Sequence, residues 1–421
     1  MAKMFLITFL ILFAGRIILR YILQQLNINH LKTHGKTIPP VFAGEIDEAT
    51  LSKMVDYTYD SSKIAWKENL FEDIVELAIL FLLVPLMVDR LIEFDIHIIL
   101  QALIFFGILA AVTGLAGLPF DIYGTFVLEK RYGFSTITWK IWITDLIKSL
   151  IISTILMAIM ITVFMTFVYY LSESWWFWAW VFFTVFEVVL LWLYPILIAP
   201  LFNKYEPIHD KPLEEKIVTL MHRAGLKAKG IYQVDAGKRS RHTNAYFTGI
   251  GKTKRIVLYD TLLASHSHEE IVAVLAHEVG HWKKKHILKQ LVFTTGVSLG
   301  LFYFVYLAAG SHALYNAFGI HHTPIYAGLF LVSLYLGALR FFLSPIGAAI
   351  IRRYEREADG MVFGLTGTTQ PMIDALKRLA KDNLANLHPH PLYAWFYYSH
   401  PPLVERIEYL WKMEQRKDGS A

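Results

Sequence analysis

Long, nearly uninterrupted apolar runs constrain this chain more than any single motif does. A helix needs about 20 residues to cross a hydrocarbon core of about 30 Å. Seven runs approach that length, at residues 4–23, 71–87, 97–118, 146–171, 175–202, 287–309 and 324–350. Lipid offers no partner to backbone amides, so each run is expected to be a helix. The second is the shortest and ends at Asp89 and Arg90. The first could pass for a secretory signal, but Arg16 and Arg20 interrupt it and no small-residue cleavage site follows, so it is expected to be retained. Composition agrees, since 55% hydrophobic and 18% charged residues over 421 positions is too apolar for an ordinary soluble domain.

Charge placement supplies an orientation, because Lys and Arg near membrane ends collect on the cytoplasmic side. Residues 203–286 are rich in both, Lys130, Arg131 and Lys140 mark an earlier connector, and Arg352, Arg353 and Arg356 open the tail, whereas 172–174 and 311–323 contain neither. The expectation is a multi-pass protein with its N-terminus outside and its polar insertions inside. Its partner is the lipid bilayer, and the net charge of +5 is explained by these loops without a nucleic acid. The chain divides into a bundle (1–202), a polar insertion (203–286), two further helices (287–350) and a C-terminal region (351–421). There is no cysteine, so any metal must be held by histidine and carboxylate.

His277-Glu278-Val279-Gly280-His281 is such a pattern. Positions four apart on a helix differ by about 40° around the axis, so both imidazoles can meet one ion. Glu278 is placed to work on a metal-activated water and not to bind the metal. Ser267 and Glu270 have capping-box spacing and announce the helix. A catalytic zinc usually takes three protein ligands and leaves one open position. Glu355 is the best third candidate, with Asp359 one turn later on the same face to orient an imidazole. Glu357 competes locally but points about 160° away.

Several stretches carry a family resemblance: Ser240 to Phe247, Arg255 to Leu263, Arg352-Arg353-Tyr354-Glu355 with Ala358-Asp359, and Ser399-His400-Pro401-Pro402 with Glu405-Arg406. Glu129 to Ser135 and Asn203 to Ile208 add to it. The chain resembles the type I CAAX prenyl proteases, the membrane zinc endopeptidases that include the a-factor-converting enzyme. That resemblance implies a mainly α fold of seven tilted transmembrane helices around a polar chamber, and one Zn2+ per chain. It also implies removal of the last three residues from prenylated CAAX substrates. The membrane would be the endoplasmic reticulum in a eukaryote or the inner membrane in a prokaryote. His400 would then stabilise the oxyanion, although on its own it reads as a turn histidine before two prolines. Asn244, with Tyr246 in the same stretch, would contact substrate, although without the resemblance Asn244 and His242 read rather as residues that cap or shape a loop.

Residues 245–250 and 255–260 read as a hairpin turning at 251–254, whose edge could pair with an extended peptide. Arg340 could read a substrate carboxylate or pair with Glu187, and Arg16 and Arg20 could snorkel from a helix end. His266, His268, His286, His312, His321, His322, His388 and His390 are assigned no metal. The run Trp175 to Trp178 reads as an interfacial anchor. Two other readings stay open. One is a quality-control protease of the HtpX type with fewer spans; the other is a seven-helix transporter or scaffold with a vestigial motif.

Overall fold

The computed structural model describes residues 1–227, 229–248 and 255–418. The chain opens with five long helices: α1 (Ala2–His34), α2 (residues 48–93), α3 (Ile98–Tyr132), α4 (Trp139–Tyr170) and α5 (Trp175–Phe202). A polar insertion follows with α6 (Lys211–Ala224), a small sheet and α7 (His268–Lys283). Helices α8 (His286–Ala309) and α9 (Ile325–Thr366) return to the apolar pattern, and α10 (Pro391–Tyr397) and α11 (Leu403–Asp418) come last. Among the described residues, six of these helices are long and apolar enough to cross a membrane: α1, α3, α4, α5, α8 and α9. Their outer faces expose Ile11, Leu115, Leu150, Val292 and Ile346, the inverse of a water-soluble surface.

The remaining run, the second, lies within α2, which continues from Glu48–Ala78 through a π turn at Ile79–Leu83 into Val84–Glu93. Asp73 and Glu76 make this helix less apolar than its neighbours, and they serve as counter-ions. Arg16 of α1 donates to Asp73 at 2.9 Å and to Glu76 at 2.7 Å, and Arg20 also bonds Asp73. The snorkelling expected for both arginines is therefore replaced by internal pairing, because a charge surrounded by apolar side chains is stabilised by an opposite charge. Around this network α1, α2, α3 and α9 bury Phe9, Leu80, Phe105 and Tyr326 in one core. The Trp175 to Trp178 run is split: Trp175 is buried against Phe164 and Tyr306, while Trp178 is exposed.

The sheet has the order β1 (Tyr205–Pro207), β2 (Ile231–Val234), β4 (Arg255–Tyr259), β3 (Ala245–Thr248). Strands β2 and β4 are parallel and the other pairs antiparallel. The expected hairpin strands are β3 and β4; the turn at 251–254 lies outside the described residues, and Asp260 already opens a short helix. Ile256 and Leu258 of β4 pack with Ile217 of α6 and Leu275 and Val279 of α7. The sheet thus braces α7 and leaves β3 at its edge.

Helix α7 does not run straight into the membrane. Lys285 takes φ +57° and breaks the helix before α8 begins at His286, a conformation uncommon outside glycine. Helix α9, by contrast, continues without interruption for 42 residues, about 63 Å at 1.5 Å per residue. That is about twice the hydrocarbon thickness, so its C-terminal third, with Glu355 and Asp359, reaches past any span begun at Ile325.

Candidate metal centre

Helix α7 starts where the sequence expects it to. Ser267 Oγ accepts from the Glu270 amide at 3.2 Å, and Glu270 returns the bond by accepting from the Ser267 amide at 2.6 Å. One face of α7 then packs on the sheet and the other crosses α9. The crossing is close because residue 280 is glycine: a Cβ there would stand 2.9 Å from the Ala358 Cα. This approach brings the histidines of α7 to the carboxylates of α9.

His277 Nε2 and His281 Nε2 lie 3.2 Å apart, Glu355 Oε2 is 3.3 Å from the first and Glu355 Oε1 3.2 Å from the second. Ligands on a tetrahedral zinc, with bonds of about 2.0–2.1 Å, are separated by about 3.3 Å. Each Glu355 oxygen thus stands at that distance from one imidazole nitrogen, and one ligand atom from each of the three residues lies within 4.8 Å of the others. Glu355 Oε2 is also buried without a hydrogen bond among the described residues, although His277 Nε2 and His400 Nε2 each stand 3.3 Å from it. Two converging lone-pair nitrogens and an unsatisfied carboxylate oxygen fit a cation. Electrostatics agree: burial would lower the pKa of His277, but the Asp359 and Glu355 carboxylates outweigh it and raise it to about 9. The centre favours positive charge.

The nitrogens facing away are occupied. His277 Nδ1 meets Asp359 Oδ1 at 2.8 Å, and Arg406 grips the same carboxylate with Nη2 at 2.7 Å and Nε at 3.0 Å. His281 Nδ1 lies 3.1 Å from His286 Nδ1, and His286 Nε2 lies 3.2 Å from Glu357 Oε2. One assignment of tautomers satisfies the whole series. His281 donates from Nδ1, His286 accepts there and donates from Nε2 to Glu357, and His281 Nε2 keeps its lone pair for a metal. The Tyr354 ring stacks on His286 at 4.2 Å and holds it in place.

Glu278 is half-buried and accepts no hydrogen bond among the described residues. Burial pushes its carboxyl above the usual carboxylate range, opposed by His277 and His281, which favours a role in proton transfer. His400 arrives from the loop before α11, with Nε2 3.3 Å from Glu355 Oε2 and Nδ1 3.0 Å from Ser399 Oγ. Asn244 is exposed at the start of edge strand β3, its side chain accepting from the Ala245 amide. Tyr246 is half-buried, its hydroxyl 3.2 Å from that of Tyr205. Phe247 on the same strand meets Trp282, the residue after His281, with ring centroids 5.3 Å apart. Arg340 is exposed on α9, and neither it nor Glu187 is ion-paired among the described residues, so the pairing considered for them is not formed. His242 shapes the loop before β3 by contacting Glu129 and Asn383.

No role is read from the sequence for Arg406, Gly280 or His286, and Glu357 enters only as a competing ligand and not as the partner of His286. Arg406 had a legible signal: it sits on the same helical stripe as Leu403, Ile407 and Leu410, where a charge needs a buried partner. His286 had none, because the break at Lys285 that turns it towards His281 is not written in local propensity.

Residues 27–204 match the family described as CAAX prenyl protease N-terminal, five membrane helices, and residues 207–414 match peptidase family M48. The chain is 33% identical over 414 residues to CAAX prenyl protease 1 of Saccharomyces cerevisiae, covering 90% of each. It is 30% identical to the human CAAX prenyl protease 1 homolog, over 93% of this chain and 92% of that one. The crystal structure of S. mikatae Ste24p resembles it with a TM-score of 0.89 at 30% identity, covering 96% of this chain and 98% of that one. Sequence, fold and a three-residue cluster fit for a metal lead to one conclusion: this chain belongs to the CAAX prenyl protease branch of peptidase family M48 and is an integral-membrane metalloprotease.

Proposed function

We propose that the metal is zinc, held by His277, His281 and Glu355, and that the enzyme removes the C-terminal tripeptide from prenylated CAAX proteins or peptides. The observation that carries this reading is the cluster of donor atoms, two imidazole nitrogens 3.2 Å apart and each 3.2–3.3 Å from one oxygen of Glu355, beside a Glu278 that accepts no hydrogen bond among the described residues. When bound, zinc supplies Lewis acidity and makes water nucleophilic near neutral pH. Glu278 removes the proton from the attacking water and delivers it to the leaving amine. His400, 3.3 Å from Glu355 Oε2 at the edge of the same cluster, donates to the oxygen that becomes negative during attack. Asp359 fixes the His277 tautomer and Arg406 fixes Asp359. The free edge of β3 pairs with the extended substrate, with Asn244 at its start as a side-chain anchor. Tyr246 contributes by holding β3 against Tyr205, and Arg340 is available for a substrate carboxylate.

The same reading counts α2 as a seventh span; the family description names five N-terminal membrane helices, and α1 to α5 make five only with α2 included. The unpaired Arg340 and Glu187 suit a wet chamber within the bundle. The Lys- and Arg-rich insertion favours the cytoplasmic side for the centre. Mass spectrometry of products from farnesylated and unmodified CAAX peptides tests the substrate directly. Release of the intact tripeptide from the farnesylated peptide alone is expected. Equal cleavage of both at scattered bonds would replace this reading with a general membrane protease.

A further inference from the structure

A cavity of about 630 Å³ opens beside the metal centre, between the end of α1, α9 and α10. Arg352 and Arg356 line it, and so do His30, His388, Trp395 and Glu405. The arginines are four residues apart and share one stripe of α9, turned about 60–100° from Glu355. Their surroundings are unusual. Arg352 is buried, and its one hydrogen bond among the described residues goes to the Tyr398 carbonyl at 2.6 Å. Glu405 lines the same cavity, yet neither arginine forms an ion pair among the described residues. Both arginines therefore line one cavity, Arg352 buried and Arg356 exposed, with Glu405 near enough to act on Arg352 electrostatically but in ion-pair contact with neither among the described residues. Burying an uncompensated charge is costly, and a phosphate group meets paired guanidinium forks with matching geometry.

The cavity wall indicates the source of that phosphate. Trp395, which lines the cavity, is 55% exposed, and Leu392, outside its lining on the same short helix α10, is 53% exposed. Exposed aromatic and apolar residues beside cationic ones are the pattern of the membrane–water interface. We propose that this cavity binds the headgroup of an anionic phospholipid, its phosphate between Arg352 and Arg356 and its acyl chains along Trp395 and Leu392. The site is separate from the metal centre but linked to it. Arg352 holds the Tyr398 carbonyl, two residues before His400, so a bound headgroup bears on the segment that carries His400.

Native mass spectrometry of the full-length, delipidated protein in detergent tests this, with phosphatidylglycerol or phosphatidylcholine added. Wild type is expected to retain phosphatidylglycerol in preference to phosphatidylcholine. Arg356→Gln is expected to retain about tenfold less, from the loss of one charge-assisted contact, and Arg356→Lys to fall between them. Metal content, measured in parallel, is expected to stay at the wild-type level and so reports that the variants fold. Equal retention by wild type and Arg356→Gln would overturn the proposal, as would equal retention of the two lipids. Displacement of phosphatidylglycerol by an equimolar amount of inorganic phosphate would also overturn it, by assigning the cavity to a soluble anion.

Discussion

The two histidines of the metal centre are supported from behind in contrasting ways. Behind His277 stand Asp359 and then Arg406, whose side chains are 1% and 8% exposed, and the carboxylate is gripped by two guanidinium nitrogens. Behind His281 stand His286 and then Glu357, whose side chain is 30% exposed and shared with Arg353. The first series is part of the protein core and the second ends at the surface. Disturbing the first should therefore damage fold and metal binding together, whereas disturbing the second should change metal affinity while the fold persists.

Arg406→Ala should have the largest effect. It strands a buried carboxylate, and breaking a buried pair from one side costs about 3–5 kcal/mol. Thermal unfolding followed by metal analysis should show a lower Tm and loss of bound metal. Gly280→Ala comes next, because its Cβ would press on the Ala358 backbone; overpacking of this kind costs about 1–3 kcal/mol. Separation of α7 from α9 should weaken metal binding more than stability, read as metal content after dialysis. His286→Ala should lower metal affinity by about 10–100-fold, measured by competition with a chelator, while Tm in the metal-saturated protein stays near wild type. Glu357→Gln should be milder and largely non-additive with His286→Ala, because both act through one imidazole. A fall in Tm for His286→Ala as large as that for Arg406→Ala would erase the contrast.

Much of this site is legible in the sequence because helical periodicity is a local property. The spacing of His277 and His281, the capping box at Ser267 and the shared face of Glu355 and Asp359 all follow from it, and the structure brings these groups together. Contacts set by tertiary geometry are not local. The approach of α7 to α9 depends on Gly280 meeting Ala358, and the turn of His286 back to His281 depends on a left-handed residue at Lys285. The pairing of Arg16 with Asp73 and Glu76 likewise joins α1 to α2. Apolar length marks six helices as long enough to span, whereas α2 carries Asp73 and Glu76, the counter-ions of Arg16, within its apolar run.

The central claim is that one metal, held by His277, His281 and Glu355, works with Glu278 to cleave the peptide. Glu278→Ala tests it most directly, with zinc content and cleavage of a farnesylated CAAX peptide measured on the same purified sample. The account predicts about one zinc per chain in both proteins, with cleavage present in wild type and abolished in the variant. Wild-type protein without zinc, or undiminished cleavage by Glu278→Ala, would contradict it.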